Sequence, residues 1–192
     1  MMATLYLVRH APTRLNQPGR ERVRGHLAVA PEPVALRHWL AEVAPKLAGN
    51  SVTFVASSDL PRGRVSAQAL GAKLGVTRIL ATPELDTWNT GAALEGQNYG
   101  EADPVLRRYV ENPRDRPEGG EPFAEFLHRW GKALAKLKDH AWRTGQSGVI
   151  IAHGNMLMTL PHLQTGAPVA FIPHDRLPRP GSIVAIQIPA EL

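Results

Sequence analysis

The stretch from Leu5 to Asn16 reads LYLVRHAPTRLN, and its character changes between Val8 and Arg9. An apolar run of strand length meets Arg9 and His10, then gives way to small, turn-forming and polar residues as far as Asn16. A near-continuous apolar strand suits a parallel sheet covered on both faces. Charged groups at the carboxyl end of such a strand point into the crevice where α/β proteins bind ligands. The same event recurs twice. VTFVA, from Val52, empties into Ser57, Ser58 and Asp59 and opens a helix whose first turn carries Arg62 and Arg64. VIIA, from Val149, ends at His153 and is followed by Gly154 and a helical segment.

Outward from these three points, apolar runs of strand length alternate with longer segments of helical period. Strands are expected over residues 3–8, 52–56, 78–80, 149–152 and 183–188. Helices are expected over 33–47, over 62–74 with Gly75 as the stop, over 123–143, and after His153 to near Gly166. The third helix is the clearest, because Phe123, Phe126, Leu127, Trp130, Leu134 and Leu137 fall at three- and four-residue steps and make one broad apolar stripe. The alternation predicts an α/β chain. Its architecture should be a three-layer α/β/α sandwich with a mostly parallel central sheet, and the strands starting near Ala3, Val52 and Val149 at its middle. Residues 12–33 and 82–122 fit neither period, and loops of that length are usually functional or disordered. No repeat, linker or low-complexity tract divides the chain, so residues 1–192 are read as one domain.

Composition narrows the function classes. With 192 residues, 43% hydrophobic and 20% charged, the chain can bury a substantial core. No apolar run approaches the roughly eighteen residues of a membrane span. The absence of cysteine removes disulfides and thiolate metal sites, and with no basic leader ahead of the first strand a cytoplasmic location is expected. A net charge of +5 raises the question of nucleic acid, but apart from Arg14, Arg20, Arg22 and Arg24 the basic residues are scattered, without aromatic interleaving. No nucleic-acid partner is therefore expected, and a modest positive excess also suits a small phosphorylated substrate. No His-x-x-x-His or His-x-His pair suggests a metal, and no Gly-Lys-Ser/Thr ending suggests a nucleotide loop, so no metal or cofactor is expected.

Each motif alone has an ordinary structural reading. Arg9 and His10 could lie on the surface, Ser57, Ser58 or Asp59 could cap a helix with solvated arginines, and His153 could be a capping or core residue. Convergence at one crevice has a chemical logic that isolated roles lack. A transferring phosphoryl group spreads negative charge over three oxygens and needs preorganised positive charge. His10 is a competent nucleophile if a backbone carbonyl holds one ring nitrogen and leaves the other free. Arg9, Arg62 and a protonated His153 would surround the oxygens while His10 attacks in line.

These motifs resemble those of the histidine phosphatase superfamily, the phosphoglycerate mutase-like proteins. Its Arg-His-Gly turn is matched by Arg9, His10 and Ala11, its SSxLxRAxxTA segment by Ser57 to Ala67, and its SHG segment by Ala152, His153 and Gly154. Gly119 to Leu127 resembles its Gly-Glu-Ser turn before a long helix. The resemblance implies that His10 is phosphorylated and that Arg9, Asn16, Arg62, His153 and Gly154 bind the phosphate. On the same resemblance His153 would be the second catalytic histidine, and Arg64 would fall outside the phosphate-binding role. It also implies a phosphatase that hydrolyses a phosphate monoester. The alternatives are mutase-type transfer back to a sugar acid, or a member that binds an anion or protein without turnover. Ala11 and Pro122 are mild departures. More consequential is Thr87, which stands where the family's proton-donating glutamate is usual and cannot donate a proton near neutral pH. Asp86 is the first candidate for that role, ahead of Glu84 and Glu95. Selectivity would come from the two long loops, which hold Arg20, Arg22, Arg24, Trp88, Asn89 and Tyr99; no motif specifies a particular substrate or oligomeric state.

Overall fold

The computed structural model describes residues 2–17, 19 and 21–189. Five strands form one sheet: β1 (Ala3–Arg9), β2 (Val52–Ser57), β3 (Ile79–Ala81), β4 (Ser147–Ala152) and β5 (Ile183–Ile188). Their order is β3-β2-β4-β1-β5. Every adjacent pair is parallel except β1 with β5. The three strands expected at the middle are there. Val8 pairs with Ile151 and Arg9 with Ala152, so the two histidines that follow these strands emerge side by side.

Strand periodicity divides the apolar side chains between two faces. Leu5 and Leu7 of β1, Phe54 and Ala56 of β2, and Ile150 and Ala152 of β4 belong to one core. Their alternates Val8, Val55, Val149 and Ile151 belong to a second. Helices α1 (Pro33–Leu47) and α2 (Pro61–Leu74) cover the second core through Trp39, Val43, Leu47, Ala67 and Leu70. On the opposite face lie α4 (Phe123–Thr144), which buries Phe123, Phe126, Trp130 and Leu134, and α5 (Gly154–Thr165), which buries Met156, Leu157 and Leu160. The three-layer α/β/α sandwich is therefore present. A methyl at Gly148 would strike the Phe54 ring at 2.2 Å, so glycine at that point of β4 lets the neighbouring strand's largest side chain into the core.

One element departs from expectation. Residues 82–122 are not a continuous loop, because α3 (Tyr99–Glu111) runs through them. Gly100 and the internal Pro104 mask its period, yet Ala102, Leu106 and Val110 recur at four-residue steps and are all buried, and the Asn98 side chain accepts the Gly100 N–H as an N-cap. The helix after Val52–Ser57 stops as expected at Gly75, which takes the left-handed conformation at φ 71°. Of the arginine-rich piece, Arg20 lies outside the described residues. No helix among the described residues is long and apolar enough to cross a membrane.

Candidate active site

The ends of β1 and β4 build the floor of the site. The Arg9 backbone is held on both sides, its N–H donating to Ser182 O at 3.0 Å and its carbonyl accepting Gly181 N–H and the Trp39 Nε1–H, each at 3.0 Å. His10 N–H donates to Ala152 O at 3.0 Å, continuing the sheet one residue past β1. Its ring is buried, and Nδ1 lies 2.7 Å from Ala11 O. A carbonyl only accepts, so Nδ1 carries the proton and Nε2 keeps the lone pair. Ala11 N–H donates to Ser66 Oγ at 3.0 Å, and Ser66 Oγ–H donates to Arg62 O at 2.7 Å. That chain of bonds ties the turn after β1 to the first turns of α2.

Arg62 and His153 complete the floor. Arg62, the second residue of α2 and only 1% exposed, donates from Nη1 to Leu27 O at 2.9 Å and from Nη2 to Gly25 O at 2.5 Å. His153 is the N-cap residue of α5; its Nε2 lies 2.8 Å from Ser58 Oγ, and its ring centroid is 5.1 Å from that of His10. Burial, reinforced by Arg62 and the neighbouring arginines, holds both imidazoles well below their ordinary value of 6.5. Without an anion in the cleft the neutral form of both rings is favoured; the sequence expectation of a protonated His153 concerns the ring beside a bound phosphoryl group. Burial, then the charge of Arg24, brings Arg9 and Arg62 down to about 10, which leaves both cationic.

A narrow cleft opens above these groups. His10, Arg62, His153 and Gly154 line it, with Thr87 and Trp88 on one side and Tyr99, Asp103, His174 and Leu177 on another. Arg9 and Asn16 line an adjoining chamber, which shares Arg24, Tyr99, His174 and Leu177 with the cleft. A Cβ placed on Gly154 would stand 3.5 Å from Arg9 Nη2, an ordinary contact distance, so the second histidine motif lies beside the first arginine. Asn16 Oδ1 accepts from the Thr13 N–H and hydroxyl, each at 3.0 Å, which fixes the turn after β1. No group of three metal-ligating side chains occurs among the described residues.

Asp86 lines neither space. Its Oδ1 accepts the Asp59 N–H at 2.9 Å just ahead of α2, and burial raises its carboxyl above the ordinary carboxylate value. The other two acidic candidates are also engaged: Glu84 pairs with Lys136 at 2.7 Å, and Glu95 Oε1 accepts His26 N–H at 2.6 Å. Thr87, at the usual glutamate position, does line the cleft, and its carbonyl lies 2.8 Å from His26 Nε2, the donor of that bond.

Residues 5–191 match the family model of the histidine phosphatase superfamily, branch 1. The chain belongs to this superfamily. A curated relative, phosphoglycerate mutase-like protein 4 of Arabidopsis thaliana, is 28% identical over 165 residues, covering 82% of this chain and 69% of the relative. Among solved structures, TTHB049 of Thermus thermophilus is 26% identical with a TM-score of 0.71, covering 97% of this chain and 95% of that one. A mycobacterial glucosyl-3-phosphoglycerate phosphatase shares the fold, with a TM-score of 0.77 at 21% identity over 97% and 91% of the two chains. For this histidine phosphatase superfamily member, the strand-end motifs were readable in the sequence. Of the facing wall, Arg24 and Tyr99 were expected there only as members of the selectivity loops, and Asp103 and His174 were given no role. Their one signal was a cluster of arginines in a long segment without periodicity.

Proposed function

We propose that the chain is a phosphatase that hydrolyses a small phosphate monoester through a phosphohistidine on His10. The observation that carries this reading is the placement of His10: buried, its Nδ1–H held by Ala11 O, and its ring 5.1 Å from that of His153 at the end of the adjacent parallel strand. The Nε2 lone pair attacks phosphorus as the bond from phosphorus to the leaving oxygen breaks. Arg9 and Arg62 offset the charge on the nonbridging oxygens, and Asn16 and Gly154 border the same oxygens. Water then attacks the phosphohistidine, passing a proton to the base left when the leaving group took its proton; the N–P bond breaks, inorganic phosphate leaves, and neutral His10 and the acid are restored. His153 starts neutral and gains affinity for a proton when the dianion sits beside it, which suits it to hold a proton during this exchange.

The alcohol leaving group needs a proton. Asp86 remains the acid of this proposal, because burial raises its carboxyl toward the neutral, proton-bearing form. To deliver the proton it must release the Asp59 amide and turn toward the cleft. Rapid acid-free quenching of a reaction with 32P-labelled substrate tests the covalent step. The expected result is a base-stable, acid-labile label on the wild-type chain and none on His10→Ala. Turnover without any such label would sink the phosphohistidine reading. Binding of phosphate without turnover or label would indicate a non-catalytic member.

A further inference from the structure

Arg24 is the cation that the three strand-end motifs leave unexplained. It is only 7% exposed, and no carboxylate of the described residues comes within 4.0 Å of its guanidinium. Its hydrogen bond among those residues runs from Nη1 to Leu15 O at a long 3.3 Å, and its carbon lies 5.7 Å from the centre of the Tyr99 ring. A guanidinium has five N–H donors, and burying one without a counter-charge is costly.

The side chain is nonetheless held in this position by its loop. Val23 N–H donates to Gln97 O at 2.9 Å, and Gly96 N–H donates back to Val23 O at 2.8 Å. His26, two residues further on, is tied to Glu95 and to the Thr87 carbonyl. Gly25 passes so close that a methyl there would fall 2.0 Å from Glu95 Oε1. The free donors of Arg24 are not sealed in the core either. Buried nitrogens without a partner occur at Nε of Arg9 and of Arg62, but at none of the Arg24 nitrogens. Arg24 borders the cleft with His10, Arg62 and His153, and it also borders the chamber with Arg9 and Asn16. It is the guanidinium common to both.

We infer that Arg24 is a third phosphate-binding arginine, donating hydrogen bonds to nonbridging oxygens of the phosphoryl group between His10 and His153. This rests on the phosphoryl-transfer reading of the cleft. The two arginines of the motifs have already committed part of their donor capacity to backbone: Arg62 to Gly25 and Leu27, and Arg9 to Pro178. A monoester dianion brings two negative charges to a site whose histidines are neutral, and beyond the long bond from Nη1 to Leu15 O, Arg24 has donors that no carbonyl or carboxylate of the described residues uses. Its charge also contributes to lowering the proton affinity of all four motif groups, Arg9, His10, Arg62 and His153, as a cation placed at their common point must. The same uncompensated charge makes a prediction that a structural role does not. Removing it should not destabilise the protein, because the interaction it serves is made with the ligand.

The test compares wild type with Arg24→Gln and Arg24→Lys, using inorganic phosphate as the binding probe and p-nitrophenyl phosphate as substrate. Thermal melting is followed with and without phosphate. The expected result for Arg24→Gln is a melting temperature equal to or above that of wild type without phosphate, and loss of most of the phosphate-dependent rise. Its kcat/KM should fall roughly 10- to 100-fold, the size of a lost charge-assisted hydrogen bond or two. Arg24→Lys should recover part of both, since it restores the charge but not the planar fork. A glutamine variant that fails to fold, or melts lower with an unaltered phosphate response, would show that Arg24 is a prop of its loop and overturn the inference. An unchanged phosphate response at unchanged stability would overturn it too. The two readings fail separately: an inactive wild type that still binds phosphate through Arg24 removes the hydrolase and keeps the arginine site, whereas an active wild type indifferent to Arg24→Gln removes only the arginine.

Discussion

The two walls of the cleft are built on different physical terms. One consists of strand ends: His10 and His153 leave adjacent parallel strands, and Arg62 follows the next strand into α2, each fixed by sheet hydrogen bonds or by the first turn of a helix. The other draws on residues 23–25, 87–90 and 171–177, where loops meet one face of α3 from Tyr99 to Val110. In that wall His174 Nδ1 lies 3.1 Å from Asp103 Oδ2, and Tyr99 stacks on His174 at 4.7 Å and 7°. The strand-end wall holds His10, Arg62 and His153 in a rigid frame, and the loop wall sets Arg24, Tyr99, Asp103 and His174 opposite them. A fold can change the second without disturbing the first.

Substitutions on either side can break or sharpen this contrast. The largest effect should come from the strand-end wall. His10→Ala should lower kcat on p-nitrophenyl phosphate by at least about 10⁴-fold with the melting temperature near that of wild type, because losing the nucleophile removes the covalent route. Comparable activity in the variant would mean that the strand ends do not carry the chemistry. Next is the proposed proton donor, which lines neither the cleft nor the chamber. Asp86→Asn should slow an alkyl phosphate, whose leaving group needs protonation, by about 10²–10⁴-fold while sparing an aryl phosphate. Equal rates for variant and parent on both esters would remove Asp86 and leave the phosphohistidine step intact.

Smaller changes concern stability. Gly25→Ala should cost roughly 1–3 kcal/mol in chemical denaturation, because the new methyl must displace Glu95 and Thr90 in a tightly packed loop. A neutral result would show that the loop wall yields freely, contrary to its hydrogen bonds. The buried histidines predict a pH slope of definite sign. Their folded values lie well below 6.5, so the unfolded chain binds more protons as the pH falls below that point. Stability should be fully present above about pH 6.5 and decline on acidification until the folded-state values are reached. Melting curves between about pH 7.5 and 5 measure this, and His153→Gln should flatten the slope. The smallest effect belongs to Glu84→Ala, whose partner Lys136 is 66% exposed; loss of such a pair should change stability by about 0.2–1 kcal/mol at most.

The strand-end wall was legible in the sequence because its signals are local. Val8 followed by Arg9-His10, and Ala152 followed by His153-Gly154, mark the same event in a few consecutive residues, and parallel pairing brings both into one crevice. The loop wall was not legible because its order depends on pairing between distant segments. Nothing in Arg24 announces that Val23 will pair with residues 96 and 97, or that Asp103 will meet a histidine 71 positions later. Helix α3 was lost for a different reason: Gly100 and Pro104 are helix-poor residues, and tertiary burial of Ala102, Leu106 and Val110 overrides them. The neutral state of His153 is likewise a product of burial, which the order of residues does not display.

The attachment of β1 has a temporal consequence. Both neighbours of this strand, β4 and β5, come from the last quarter of the chain, and the Arg9 guanidinium is anchored on Pro178, 169 positions away. A ribosome therefore finishes β1 and the His10 that follows it long before it supplies β4 and β5, the strands that hold them. The phosphatase site proposed above would be assembled only once β5 has been made. Closing such distant pairings also makes folding slow relative to a helical protein of the same size.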